Sequence, residues 1–172
     1  TLPKNLEAPV LVVQHMPPVF TGSLAKSLDS KCALRVKEAE DGENFEAGTV
    51  YIAPGGRQMK VVSTSAGFYG FRVTDDPPEQ NCKPSVDYLF RSVAQTYPKK
   101  TCAVIMTGMG ADGTLGARLL KRVGCFVIAQ DQDSSVVFGM PKSAIDAGVV
   151  DKVCHLDLIG EEIVSTVRGR RA

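Results

Sequence analysis

The 172-residue sequence has no excess of charge of either sign, because 20 lysines and arginines accompany 19 aspartates and glutamates. Proteins that bind nucleic acid usually carry a clustered basic face, and this charge balance gives no indication of one. No apolar run approaches the roughly 20 residues that a transmembrane helix needs. No charged segment followed by an apolar one opens the chain as a secretion signal would. We therefore expect neither nucleic-acid binding nor membrane insertion.

Cysteines at the spacing of a structural metal site are also absent. The five cysteines are widely spread, and no two of them form a C-x-x-C pair, so we expect no structural zinc ion. Cys102 and Cys125 lie in apolar segments, where cysteine usually acts as a small core residue. The sequence suggests no cofactor and is typical of a reduced, cytoplasmic protein.

Several segments are continuously apolar and rich in β-branched residues, as strands buried on both faces of a parallel sheet are. They cover residues 9–13, 102–106 and 126–129, and predicted helices separate them. Residues 59–73 instead alternate between apolar and polar, which indicates a hairpin with one exposed face. This order predicts an α/β fold with a doubly wound, mostly parallel sheet, helices on both faces and one antiparallel β-hairpin.

Two helix starts are predicted from capping residues. Thr21 is placed to cap a helix that ends near Asp29, and Ser85 is placed to cap an amphipathic helix that ends near Gln95. Threonine and serine suit this position because their hydroxyl groups accept hydrogen bonds from unpaired backbone N–H groups.

The composition, with 44% hydrophobic and 23% charged residues, is that of a globular domain. Residues 1–8 look like the end of a helix and a loop, whereas a doubly wound domain normally begins with a strand. We therefore interpret residues 1–172 as one domain that lacks its N-terminal part.

Two loops follow buried strands and carry polar groups suited to catalysis. His15 lies just after the first strand and is followed by two prolines, and Asp112 lies in the glycine-rich loop at 107–113. In doubly wound sheets, functional groups gather beyond the carboxyl ends of the strands. His15 is a candidate general base, and Asp112 a candidate for the carboxylate that orients it. The alternatives are a structural hydrogen bond for His15 and helix capping for Asp112.

The same glycine-rich loop also matches a dinucleotide-binding pattern. Gly108, Gly110 and Gly113 have the G-x-G-x-x-G spacing after a strand and before a helix, and Asp131 follows at about the distance of a ribose-binding acid. A dinucleotide-binding oxidoreductase is therefore an alternative. It gives no role to the His15 loop, and such a pattern usually opens its domain.

Six motifs, in this order and spacing, resemble the family of CheB-type protein-glutamate methylesterases. They are QHMPP (14–18), VKEAEDG (36–42), YIAPG (51–55), KPSVD (83–87), TGMGADG (107–113) and VVFGMP (136–141). The resemblance extends over nearly the whole chain, from about residue 8 to residue 153.

The resemblance implies a bacterial chemotaxis hydrolase. Its members hydrolyse glutamate methyl esters on the cytoplasmic part of methyl-accepting chemotaxis receptors, and they often deamidate receptor glutamines. They use a serine, a histidine and an aspartate, and a receiver domain phosphorylated by the chemotaxis kinase controls them. By position, His15 would be the general base and Asp112 its orienting acid. Met109 would line the site and contribute its backbone N–H to the oxyanion hole.

The sequence departs from this family in one respect. The nucleophilic serine of the family belongs to a glycine-rich Ser-Thr-Gly-Gly loop, and these 172 residues contain no such loop. The receiver domain is absent as well. Without the serine no acyl-enzyme can form, so these residues alone are expected to be inactive. A non-catalytic chemotaxis interaction module is a third hypothesis.

Overall fold

The computed structural model describes residues 2–64, 67–97 and 101–169, which contain eight strands and five helices. In chain order they are β1 (Val10–Val12), α1 (Pro18–Asp29), β2 (Arg35–Glu38), β3 (Thr49–Ile52), β4 (Gln58–Ser63), β5 (Tyr69–Thr74), α2 (Val86–Thr96), β6 (Cys102–Ile105), α3 (Thr114–Arg122), β7 (Phe126–Gln130), α4 (Gly139–Asp146), β8 (Lys152–Cys154) and α5 (Leu156–Gly169).

Six of the strands are parallel, as predicted, and helical crossovers connect most of them. They form two sheets of three strands, in the orders β1-β3-β2 and β6-β7-β8. A single sheet was expected. The two remain separate because, within the described residues, no strand pairs with the outer edge of β1 or of β6.

The predicted antiparallel hairpin is formed by β4 and β5, with Val61 opposite Phe71. It packs on α2 through two hydrogen bonds. The hydroxyl of Ser92 accepts one from the backbone N–H of Val61 (3.0 Å), and the hydroxyl of Thr96 donates the other to the Val61 carbonyl (3.3 Å). The hairpin therefore helps to hold α2 in place.

One hydrophobic core joins the β1-β3-β2 sheet, the hairpin and the β6-β7-β8 sheet. Its buried members come from all three units. They include Tyr51, Phe71, Leu89, Ile105 and Leu120. Each such side chain stabilises the fold by about 1.5–3 kcal/mol when it leaves water, so the core holds the carboxyl ends of β1 and β6 in a fixed relation.

Helix α1 begins four residues before the predicted position. Pro17 is its N-cap and Pro18 its first residue, a position that suits proline because the missing N–H has no helical partner. The prediction that Thr21 caps this helix was therefore wrong. Thr21 is fully buried within α1, where its hydroxyl accepts a hydrogen bond from the Gly55 N–H (2.9 Å).

No helix in the described part of the chain is long and apolar enough to cross a membrane.

Candidate active site

The two loops selected from the sequence meet in the folded chain. His15 follows β1 and Asp112 lies between β6 and α3, and Nε2 of His15 is 2.7 Å from Oδ2 of Asp112. Because 97 residues separate these two side chains, only the arrangement of the sheets can bring them together. The pair spans the gap between the two parallel sheets.

Four donors surround the Asp112 carboxylate, which is 2% exposed. Oδ2 accepts hydrogen bonds from Nε2 of His15 and from the backbone N–H of Val86, both at 2.7 Å. Oδ1 accepts from the Ser85 hydroxyl at 2.8 Å and from the backbone N–H of Asp87 at 2.9 Å. Each oxygen therefore has two partners, and the carboxylate has little freedom to rotate.

Three of those donors belong to the first turn of α2, not to the helix that follows Asp112. The N-cap of α3 is Gly113, which has no side chain to act as a cap. Asp87, in the first turn of α2, supplies the missing acceptor, because its Oδ1 accepts the N–H of Gly116 at 2.7 Å. Asp112, which precedes α3, thus bonds the start of α2, and Asp87, which belongs to α2, bonds the start of α3. A helix N-terminus carries unpaired N–H groups and a partial positive charge, so both carboxylates gain from this arrangement.

Burial alone would raise the pKa of Asp112, but its hydrogen bonds oppose that effect. The bond from His15 lowers the pKa most, followed by those from the backbone N–H groups of Asp87 and Val86 and from the Ser85 hydroxyl. Together they hold the pKa of Asp112 below its usual range. The carboxylate is therefore ionised at neutral pH, as a group that stabilises an imidazolium must be.

The bond to Asp112 decides how the proton is placed on the His15 ring. An ionised carboxylate can only accept, so Nε2 carries the proton and Nδ1 keeps the lone pair of the neutral ring. Within the described residues, Nδ1 of His15 has no hydrogen-bond partner. The side chain is 31% exposed, so this nitrogen is available to act as a base.

Ser85 has two contacts at the site. It is the N-cap of α2, as predicted, because its hydroxyl oxygen accepts the N–H of Tyr88 (3.3 Å). The same hydroxyl donates its proton to Asp112, a role that sequence reasoning missed. Gln58 fixes the position of Ser85, since its side-chain oxygen accepts the Ser85 N–H at 2.9 Å.

Met109 lies at the tip of the β6–α3 loop and is 85% exposed. The neighbouring Gly108 anchors this tip. Its N–H donates to the Val137 carbonyl (2.9 Å), and its carbonyl accepts from the N–H groups of Gly139 (3.0 Å) and Met140 (2.8 Å). In the part of the chain that the structure describes, the Met109 N–H has no partner.

Two of the three glycines that suggested a dinucleotide site have packing roles here. A β-carbon on Gly108 would lie 2.4 Å from Sδ of Met140, and one on Gly113, whose φ is +96°, would lie 2.9 Å from Val86. Asp131 is engaged locally, since its Oδ1 accepts both the N–H (3.0 Å) and the hydroxyl (2.6 Å) of Ser134. The geometry therefore gives no support to the dinucleotide hypothesis.

A third group close to the pair was not anticipated from the sequence. The Cys82 Sγ, one ring nitrogen of His15 and one carboxylate oxygen of Asp112 all lie within 4.8 Å of one another. Among the described residues, these three form the one cluster of histidine, cysteine and acidic side chains with the spacing of metal ligands.

Comparison with known proteins shows which family the chain belongs to. The family model described as CheB methylesterase matches residues 1–163 of the chain. The chain belongs to the CheB methylesterase family. The CheB methylesterase catalytic domain of Thermotoga maritima is 48% identical, with a TM-score of 0.92 over 95% of this chain and 86% of that one. The fold is therefore the CheB catalytic fold, with mostly parallel strands flanked by helices.

Curated CheB relatives share the name protein-glutamate methylesterase/protein-glutamine glutaminase. The protein from Desulfotalea psychrophila is 56% identical over 97% of this chain and 46% of its own length. The protein from Bacillus subtilis is 47% identical over 99% of this chain and 48% of its own length. The chain thus spans about half the length of these relatives. Neither the oxidoreductase nor the non-catalytic hypothesis is supported by these names.

Proposed function

We propose that this chain supplies the general base and the orienting acid of a cytoplasmic protein-glutamate methylesterase that also deamidates protein glutamines. Its substrates would be methyl-accepting chemotaxis receptors. The observation that carries the proposal is the 2.7 Å bond between Nε2 of His15 and Oδ2 of the buried Asp112. The names of the CheB relatives give the same reaction.

In this proposal, the nucleophilic serine comes from a part of the native protein outside residues 1–172. A strand inserted between the open edges of β1 and β6 would join the two sheets into one. A serine at its carboxyl end would lie beside the ends of β1 and β6, where His15 and Asp112 are. The chain alone is then expected to be inactive. We also assign control by the chemotaxis kinase, through a receiver domain, to a part outside this chain.

The proton moves through His15 in both halves of the reaction. Nδ1 takes the proton of the serine as its oxygen attacks the γ-carbonyl, and Asp112 stabilises the imidazolium that forms. The imidazolium then protonates the leaving group, which departs as methanol from an ester or as ammonia from an amide. A water, deprotonated by His15, hydrolyses the acyl-enzyme and leaves a glutamate carboxylate.

The oxyanion needs donors that no other group uses. The N–H of Met109 meets that condition within the described residues, and the bonds of Gly108 hold it in place. We assign it to the oxyanion hole, where one backbone donor contributes about 2.7–4 kcal/mol to the transition state.

The two histidines of the chain allow a matched test in the complete protein. His15→Gln should reduce methanol release from methylated receptor membranes at least about 10⁴-fold, because the base is lost. His155 is exposed, and its Nδ1 accepts a local bond from the Asp157 N–H at 3.3 Å. His155→Gln should leave the rate unchanged. Equal rates for the two variants would refute the proposed role of His15.

A further inference from the structure

Cys82 is held beside the catalytic pair by a rigid turn. The backbones of Glu79 and Cys82 exchange two hydrogen bonds, of 2.7 and 3.1 Å, around Gln80 and Asn81, which both have positive φ. Gln58 donates from its side chain to the Cys82 carbonyl (3.3 Å). The turn is therefore fixed on the same scaffold as Ser85, and the position of the thiol is set by the fold.

The turn is also tied to α2 by side chains. Gln80 donates to Asp87, and the guanidinium of Arg91 bonds the carboxylate of Glu79, with one contact at 3.0 Å. These links connect the cysteine to the helix whose first turn surrounds Asp112. A cation bound at Cys82 would therefore meet the Asp112 carboxylate without a change of the backbone.

The three donor atoms are those that zinc prefers. Zn²⁺ binds thiolate, imidazole and carboxylate groups in tetrahedral sites, whereas Mg²⁺ and Ca²⁺ prefer oxygen alone. With bonds of about 2.0–2.3 Å, ligand atoms in such a site lie about 3.3–3.7 Å apart. The present atoms lie within 4.8 Å, and the His15–Asp112 contact is 2.7 Å. Shifts of about 1 Å, within the reach of rotation of the His15 and Cys82 side chains, would therefore close the site around the fixed Asp112 carboxylate.

The surroundings of the thiol favour a cation. One oxygen of the buried Asp112 carboxylate lies within 4.8 Å of the Cys82 Sγ, and its negative charge attracts a cation. A metal ion bound there displaces the thiol proton to solvent and offsets the negative charge of Asp112.

We propose that Zn²⁺ binds reversibly through Cys82, His15 and Asp112, with water as a fourth ligand, and inhibits the enzyme. The inhibition rests on the proposed function, but the binding does not. A metal on Nε2 of His15 removes the bond to Asp112, and a metal on Nδ1 removes the lone pair of the base. Either mode blocks proton transfer.

Binding is tested by calorimetric titration of Zn²⁺ into the metal-free, full-length protein. Cys82→Ser should weaken one binding event at least about 10–100-fold, since loss of even an outer partner of a zinc ligand costs that much. Cys32 is exposed, so Cys32→Ser is the matched control and should bind as the unchanged protein does. The melting temperature of each variant checks that it is folded.

Cd²⁺ provides a second probe, because its bond to a thiolate gives an ultraviolet charge-transfer absorption. This absorption should appear in the unchanged protein and in Cys32→Ser, and Zn²⁺ should displace it. It should be missing from Cys82→Ser. Unaltered Zn²⁺ affinity in Cys82→Ser, or no Zn²⁺ binding to the unchanged protein, would overturn the assignment.

Methanol release tests the inhibition separately. Each protein is compared with its own metal-free rate, and a chelator should restore the rate of the unchanged protein. Cys82→Ser should resist Zn²⁺ concentrations that inhibit Cys32→Ser. Zinc bound through Cys82 with undiminished methanol release would refute the inhibition. A protein that releases no methanol with or without metal would contradict the proposed function, and the two binding tests would then decide the metal site.

Discussion

Asp112 and Asp87 are two buried carboxylates with similar positions and different properties. Each is 2% exposed, and each accepts backbone N–H groups from the first turn of the other's helix. The pKa of Asp112 is lowered, because four donors outweigh its burial. The pKa of Asp87 is raised, because burial outweighs the bonds from Gly116 and Gln80 and the charge of Asp112 adds to the effect.

The difference between the two shows what makes a buried carboxylate suitable as an orienting acid. Burial and a helix N-terminus are common to both, so neither is sufficient. Asp112 differs in having the Ser85 hydroxyl and the His15 ring as further donors. These keep it charged in a site where an uncompensated charge would be costly.

The largest difference between Asp112 and Asp87 is expected in turnover, when each carboxylate is replaced by an amide. In the complete protein, Asp112→Asn should lower turnover on the order of 10⁴-fold, because an amide no longer holds His15 in the required tautomer. Asp87→Asn should change turnover by no more than about tenfold, the equivalent of ~1.4 kcal/mol. Methanol release from receptor membranes measures both. Similar losses in the two variants would end the distinction.

A smaller effect is expected from removal of the Ser85 hydroxyl, a donor that Asp112 has and Asp87 lacks. Ser85→Ala should destabilise the protein by about 0.5–2 kcal/mol, the usual cost of losing an N-cap, and should also lower turnover. Ser92, in the same helix, is a matched control, because its hydroxyl bonds Val61 and Leu89 and not Asp112. Ser92→Ala should lose stability with turnover retained. Denaturant unfolding measures the stability, and methanol release measures the turnover. A loss of turnover in Ser92→Ala but not in Ser85→Ala would contradict the role of the Ser85 hydroxyl at Asp112.

The smallest effect is on stability in acid, where the two carboxylates should act in opposite directions. Because the folded-state pKa of Asp112 is lowered, its contribution is complete above the unfolded-state pKa of about 3.9 and is lost as the pH falls through the folded value. The pKa of Asp87 is raised, so its contribution is complete below about pH 3.9 and is lost as the pH rises through the folded value.

Unfolding free energies measured against pH for the two asparagine variants would test these signs. The stability advantage of the unchanged protein over Asp112→Asn should grow as the pH rises towards about 4. Its advantage over Asp87→Asn should shrink as the pH rises above that value. Slopes of the same sign would contradict the assignment of the two environments.

The sequence was sufficient to predict the positions of those site residues that lie at the ends of strands. The carboxyl ends of parallel strands share one edge, so the loops of His15 and Asp112 were expected to meet, and they do. It was not sufficient for contacts between helices. The contact of Asp112 with α2, and the place of Cys82 beside His15, depend on how α2, α3 and the hairpin pack, which local spacing does not encode. The open edge of β6 was also beyond a pattern that counts strands but not their pairing.

The protonation of the His15 ring is the most direct test of the account. In the complete protein, the ¹⁵N chemical shifts of the neutral ring, assigned by their absence in His15→Gln, should place the proton on Nε2 and the lone pair on Nδ1. Asp112→Asn should abolish that preference, and Asp87→Asn should retain it. A neutral ring protonated at Nδ1, or the same tautomer with and without the Asp112 carboxylate, would contradict the central claim that Asp112 orients His15 for proton transfer.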